Sequence, residues 1–191
     1  WIGHSDSETL ITAIAHWGLD ATLVKLDGMF ALAVWDKTEK KLSLVRDRFG
    51  EKPLYYMQEG DTLYFASELK ALPALDATFG EIDQESLAIY FRLRYIPASR
   101  SIYKNVKKLR PGKVIEFRCE PATPLSSRFY WDSLNEALRA NTKGFDGSRE
   151  DALAEIDKTL QNLVQGRLAS DVPLGAFLSG GIDSSLVTAL A

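Results

Sequence analysis

The sequence predicts an α+β domain followed by the opening of an α/β unit, and three observations carry that prediction. Two pairs of short apolar runs separated by polar turns occupy residues 23–66 and read as β-hairpins. Segments with helical spacing lie on either side of them. Near the carboxyl end, an apolar run, a glycine-serine turn and a second apolar run follow one another over residues 172–191, the order of strand, loop and helix.

Each element has a local reason. A first helix is expected over residues 6–17: Ser5 and Glu8 stand at capping-box spacing, Leu10, Ile11 and Ile14 share one face, and Gly18 is placed to stop it. Residues 29–35, a polar turn at 36–41 and residues 42–45 form the first hairpin. Since residues 29–35 do not alternate with polar ones, that strand is expected to be covered on both faces. Residues 54–57 and 63–66 form the second pair, joined by 58–62. Asp83 is the expected N-cap of a helix reaching towards Leu93, with Ile82 and Leu87 at hydrophobic-staple spacing. Residues 112–117 return to strand character. Residues 121–147 carry Pro121, Pro124, several serines and Gly144 with little periodicity, and read as a linker between residues 1–120 and 148–191. From Ser148, a helix carries Leu153, Ile156, Leu160, Leu163, Val164 and Leu168 at helical spacing. It leads into an expected buried strand over 172–178.

With 191 residues, 46% hydrophobic, 26% charged and a formal net charge of −3, the chain suits one large domain, or one domain and part of another. No apolar run approaches the roughly 18 residues of a membrane span, and the first residues are not a signal peptide. A cytoplasmic protein is expected. The single cysteine, Cys119, agrees with a reducing compartment. The sequence opens at Trp1 and ends at Ala191, shortly into the helix after the glycine-serine turn. It therefore reads as a piece of a longer protein.

The turn itself is Leu178-Ser179-Gly180-Gly181-Ile182-Asp183-Ser184-Ser185. Glycines let backbone N–H groups approach phosphate oxygens, and the following helix adds the positive end of its dipole. A Walker A loop would end in Gly-Lys-Ser/Thr, and no lysine stands here. Backbone dipoles and a metal must then meet the phosphate charge. The run resembles the pyrophosphate-binding loop of ATP pyrophosphatases, a likeness that implies cleavage of ATP between its α and β phosphates.

Several further runs support a wider resemblance: Ser5-Asp6-Ser7-Glu8, Leu26-Asp27-Gly28-Met29-Phe30-Ala31, Arg46-Asp47-Arg48-Phe49-Gly50-Glu51-Lys52-Pro53-Leu54-Tyr55-Tyr56, and Ala66-Ser67-Glu68-Leu69-Lys70-Ala71-Leu72. With the carboxyl-terminal loop, they resemble the glutamine-hydrolysing asparagine synthetases over essentially the whole chain. That resemblance implies a class II glutamine amidotransferase domain of four-layer αββα architecture, like that of the Ntn hydrolases, followed by the start of a PP-loop synthetase domain. It implies glutamine, aspartate and ATP as substrates, with Mg²⁺, and it is compatible with a homodimer.

By the same resemblance, the nucleophile is an amino-terminal cysteine that this sequence does not contain. Cys119 is internal and reads as a structural thiol, so the chain by itself is not expected to hydrolyse glutamine. Asp6 is the glutamine-site residue that transfers, its carboxylate holding the substrate's α-amino group. A carboxylate in a first helical turn also complements the macrodipole, but Ser5 and Glu8 account for capping without it. Leu178, Ser179, Gly180, Gly181, Asp183 and Ser184 are the expected ATP and pyrophosphate contacts, with Asp183 also at the metal. Arg46, Asp47 and Glu68 read as scaffold, Tyr55, Tyr56, Tyr64 and Phe65 as core and sheet surface, and His4 and His16 as surface residues.

A rival signal is the basic run over residues 92–118, which holds nine cations against Glu116 alone. It is broken by Pro97 and Pro111 and carries no nucleic-acid motif, so a solvated rim or inter-domain contact is expected and no nucleic-acid partner. Alternative readings of the whole are an enzyme amidating another carboxylate, on a polysaccharide or secondary metabolite, or closing a β-lactam ring, and a non-catalytic glutaminase-like scaffold.

Overall fold

The computed structural model describes residues 3, 5–72, 80–119 and 122–191, and the chain divides into two compact units, Trp1–Leu138 and Arg139–Ala191. The first unit is built on two antiparallel sheets. One has the order β1 (Ala31–Asp36), β2 (Lys41–Arg46), β6 (Lys113–Cys119), β7 (Ala122–Phe129); the other has β4 (Thr62–Ala66), β3 (Tyr55–Glu59), β5 (Lys107–Lys108). Three helices accompany them, α1 (Asp6–Trp17), α2 (Leu19–Lys25) and α3 (Gln84–Leu93). α4 (Ser133–Lys143) carries the chain into the second unit, where α5 (Arg149–Arg167) and α6 (Ile182–Leu190) pack on each other.

The sheets face each other through Leu44, Ile115 and Phe117 on one side and Leu54, Tyr56, Leu63 and Phe65 on the other, with Leu109 between. Tyr56 meets Phe117 edge-on at 6.1 Å between ring centres. Period-two alternation puts Val45 and Val114 on the outer face of the first sheet, where Leu19, Leu23 and Leu26 of α2 and its C-terminal end cover them. The outer face of the second sheet packs Met57 and Tyr55 against Leu69, Leu72 and Val106. This is a mixed α/β arrangement of antiparallel sheets, with Tyr55, Tyr56, Tyr64 and Phe65 placed in the cores as expected.

Both hairpins form. Asp36 closes the first by accepting the N–H groups of Thr38 and Glu39 at 2.9 Å, and Gly60 turns the second with a φ of 56°. β1 is not covered on both faces along its length. Ala31 and Leu32 pack on opposite faces, whereas Trp35 remains 45% exposed, because β1 is the edge of its sheet among the described residues.

The stretch expected to be an irregular linker, 121–147, contains β7 and α4 instead. Pro124 and the serines had concealed the strand. Pro124 pairs with Phe117 at a register shift between Glu116 and Phe117, on the outermost strand, where a missing N–H costs no ladder bond. The expected strand over 172–178 does not form: these residues pair with no other strand among those described, and Phe177 is 98% exposed. A strand exists only by its ladder, and the second unit offers α5 and α6 as its regular elements.

The Arg46-Asp47 turn is scaffold. Asp47, 1% exposed, accepts N–H groups from Phe49, Glu51 and Lys52, while the Arg46 guanidinium donates to the carbonyls of Lys52, Leu109 and Gly50. Glu68 caps a 3₁₀ turn, Leu69–Ala71, and pairs with Lys70 on the surface.

On the outer face of the first sheet, Glu116 lies opposite Ser43 and Ser126 and bonds Lys41 at 3.1 Å and Arg128 at 3.0 Å. Burial alone would raise this carboxyl; the Ser126 hydroxyl, Lys41 and Arg128 outweigh it and bring the pKa down to about 2. A depressed carboxylate stabilises the fold above its unfolded pKa and loses that contribution as pH falls through the folded one. Thermal unfolding across pH should therefore show Glu116→Gln less stable than the parent at neutral pH, by at most about 3 kcal/mol, with the gap closing between about pH 4.5 and 2. A gap that persists unchanged at pH 2 would refute the role given to this charge.

Candidate functional site

α1 begins at Asp6 because Ser5 caps it, accepting the Ser7 N–H at 3.1 Å. The capping box is not closed as expected. The Glu8 carboxylate accepts the Gly3 N–H at 2.6 Å, two residues before the cap, so Glu8 ties down the approaching chain. Asp6 stands in the first turn and its Oδ1 accepts from the hydroxyls of Ser5 and Ser7 at 3.3 and 3.4 Å. The same side chain lines a hollow of about 260 Å³ with Ser7, Leu10, Leu26, Asp27, Gly28, Met29, Phe30 and Leu32. The structure thus brings Asp6 against the Asp27-Gly28-Met29 segment, a neighbour that helix reasoning about Asp6 alone did not supply. Its signal was the Asp27-Gly28 pair inside a motif otherwise apolar, where the Gly28 backbone takes a φ of 152°.

Cys119 lies in β6, but its side chain lies outside the described residues, as do His4 and Pro121. His16 packs edge-on against Trp17 at 5.8 Å.

In the second unit, the glycine-serine loop opens directly into α6. Gly180 takes a φ of 78°, and a Cβ built there would meet nothing within 4 Å, so the loop is open above it. Gly181 is the N-cap of α6, and no side chain caps that end. The N–H groups of the first turn have no intrahelical acceptor and carry the positive end of the dipole. Ser179 Oγ and Ser184 Oγ lie 3.1 Å apart, and the hydroxyls of Ser184 and Ser185 donate to the Gly181 carbonyl at 3.1 and 2.8 Å. Asp183 falls in the first turn. Leu178 stands beside the loop, 64% exposed. The donor set suits a polyphosphate. Among the described residues no three His, Cys, Asp or Glu side chains cluster as a metal site.

Five cations of the basic run of 92–118 meet partners within the fold. Arg100 pairs with Asp83 at 3.1 Å and Glu85 at 2.7 Å, Lys104 with Glu81 at 2.7 Å, and Lys108 donates to the Ile96 carbonyl at 2.8 Å. Arg110 and Lys113 lie over the Phe129 ring at 4.9 and 5.2 Å. These contacts fasten the run to the fold. No helix among the described residues is long and apolar enough to cross a membrane.

One unit holds two packed antiparallel sheets with a hollow lined by Asp6 and Asp27, and the other an open glycine-serine loop at the N-terminus of α6. Comparison with known families adds the following. Residues 1–131 match the family model of the glutamine amidotransferase domain, and residues 155–191 match that of asparagine synthase. The chain belongs to the glutamine amidotransferase domain family. It is 36% identical over 187 residues to the asparagine synthetase [glutamine-hydrolyzing] 1 of Bacillus subtilis, covering 98% of this chain and 28% of that protein. A putative asparagine synthetase [glutamine-hydrolyzing] 2 of Methanocaldococcus jannaschii is 34% identical over 185 residues, 96% of this chain and 34% of the relative. The amidase chry2 of Gibberella zeae is 32% identical over 195 residues, 100% of this chain and 27% of the relative. The chain thus spans about a third or less of the length of these relatives.

Proposed function

We propose that the protein carrying this chain is a glutamine-hydrolysing asparagine synthetase, in which one unit releases ammonia from glutamine and the other uses ATP to activate aspartate. The observation that carries this reading is the succession, in a single chain, of an amidotransferase-family unit and an uncapped helix entered through Leu178-Ser179-Gly180-Gly181. The two facing sheets belong to the later part of a four-layer αββα glutaminase domain, and residues 148–191 open a PP-loop synthetase domain. The protein works in the cytoplasm.

In the first unit the Asp6 carboxylate pairs with the α-ammonium of glutamine, as a charge drawn into a hollow requires. In the second, N–H groups at the start of α6 and the hydroxyls of Ser179 and Ser184 receive the β and γ phosphates, with Gly180 and Gly181 allowing the backbone close approach. Leu178 lies against the nucleotide. Mg²⁺, held by Asp183 and phosphate oxygens, would neutralise charge on the leaving pyrophosphate. A carboxylate does not react with ammonia until it carries a leaving group. Attack of the aspartate side chain on the α-phosphate forms β-aspartyl-AMP and expels pyrophosphate, and ammonia then displaces AMP. Ammonium cannot make that attack, so ammonia must pass between the sites protected from water.

A second reading is favoured by the amidase relatives, which align over the entire chain: the same two units amidating another carboxylate. Glutamine labelled with ¹⁵N in its amide separates the two. Label in the side-chain amide of asparagine, dependent on aspartate and ATP, supports the synthetase. Glutamine hydrolysis with no labelled asparagine, under conditions where ATP is bound, rejects it.

A further inference from the structure

We propose that Arg48 is a positioning residue of the glutamine pocket, an inference that rests on the reading of Asp6 as the glutamine-binding carboxylate. The wall of the hollow beside Asp6 is the backbone of residues 26–30, which lies between α2 and β1 and belongs to neither. Within it Gly28 has a φ of 152° and open space where a side chain would be, so its own packing does not restrain it. Two consecutive residues from the turn after β2 hold the ends of this wall. Arg48 Nη1 donates to the Leu26 carbonyl at 2.5 Å and Nη2 to the Val24 carbonyl at 2.9 Å, while the Asp47 N–H donates to the Phe30 carbonyl at 3.0 Å.

The two ends are held differently. At Phe30 the anchor is a backbone N–H, and Asp47 is itself fixed by three bonds to its carboxylate. At Leu26 the side-chain anchor is Arg48, gripping carbonyls at the C-terminal end of α2, where the negative pole of the helix favours a cation. A planar guanidinium reaches both carbonyls at once; an ammonium is a point charge and serves one of them well. Without that grip the Leu26 end keeps the packing of its side chain beside Leu23 and Val45 and its N–H bond to the Thr22 carbonyl, but loses the restraint on its own carbonyl, so the spacing between Asp6 and the Asp27-Gly28-Met29 backbone is set less tightly. The substrate would feel this as weaker binding, because Arg48 is absent from the lining of the hollow.

The test compares the whole protein with its Arg48→Met, Arg48→Lys and Asp6→Asn variants, measuring glutamine KM and kcat for glutaminase activity, and pyrophosphate release driven by ammonium chloride. Added ammonia bypasses the pocket, so this second activity reports the intact fold. Arg48→Met should raise the KM for glutamine about tenfold with kcat within about twofold, Arg48→Lys should fall between it and the parent, and ammonia-driven activity should stay within about twofold. If Asp6→Asn raises KM but Arg48→Met does not, or if Arg48→Met lowers both activities in parallel, the positioning role is overturned and the glutamine site stands. If Asp6→Asn leaves KM unchanged, the reading of the hollow itself fails and the inference goes with it.

Discussion

Gly112→Ala should destabilise the protein by at least about 4 kcal/mol, a large part of the stability of an ordinary domain. Gly112 has a φ of 64°, and a Cβ built on it would clash with the carbonyl oxygen of Trp131, a backbone atom that cannot step aside alone. Its N–H donates to the Asp47 carbonyl at 2.8 Å, and its own carbonyl accepts from Tyr130 and Trp131 at 3.0 and 3.3 Å. Any relief therefore pulls on the Arg46-Asp47 turn and on the end of β7 together. The nearby Phe49 ring, which packs on Trp131 at 5.0 Å, would move with them. Gly60→Ala is the matched control: it also has a positive φ, but nothing lies within 4 Å, so only the left-handed backbone is penalised, by about 1 kcal/mol. Chemical denaturation of the two variants measures the difference. Equal losses would show that the Trp131 contact is not rigid.

The largest expected effect on activity is at Asp183. Asp183→Ala in the whole protein should cut aspartate-dependent pyrophosphate release about a hundredfold or more while leaving glutaminase activity within about twofold, since the residue lies in the second unit. Ser184→Ala should cost less. In the proposed complex its hydroxyl, 3.1 Å from Ser179 Oγ and turned to the Gly181 carbonyl without ligand, would offer one donor to the anion, whereas Asp183 would hold the cation. Unchanged pyrophosphate release in the Asp183 variant would reject the loop as the nucleotide site. Parallel loss of both activities would instead place Asp183 in the structure common to the two units.

Legibility in the sequence followed how local each cause was. α1 runs over residues 6–17 and α5 starts after Ser148, because caps and glycine stops act within a few residues. The capping box at Ser148 even closes reciprocally, through Asp151, whereas at Ser5 the spacing was right and Glu8 found Gly3 instead. β7 was missed because Pro124 and its serines look like loop until the bulge and the edge position are known. The strand expected at 172–178 rested on an apolar run, and an apolar run does not name its ladder partner.

The candidate site divides in the same way. The glycine-serine loop is contiguous, so the loop and the helix that follows it could be read from the order of residues, while the open space at Gly180 and the lack of a side-chain cap on α6 came with the structure. The hollow beside Asp6 needs Asp27 to Met29, some twenty residues further on, and the grip of Arg48 on Leu26 spans 22 positions. Only folding brings these together.

The bond at which ATP is cut separates a synthetase from other ATP-dependent enzymes most directly. The whole protein, given Mg²⁺, glutamine, aspartate and ATP labelled in its α-phosphate, should release the label as AMP together with unlabelled pyrophosphate, one for each amide formed. Label recovered in ADP alongside orthophosphate, or ATP left intact while glutamine is consumed, would contradict it.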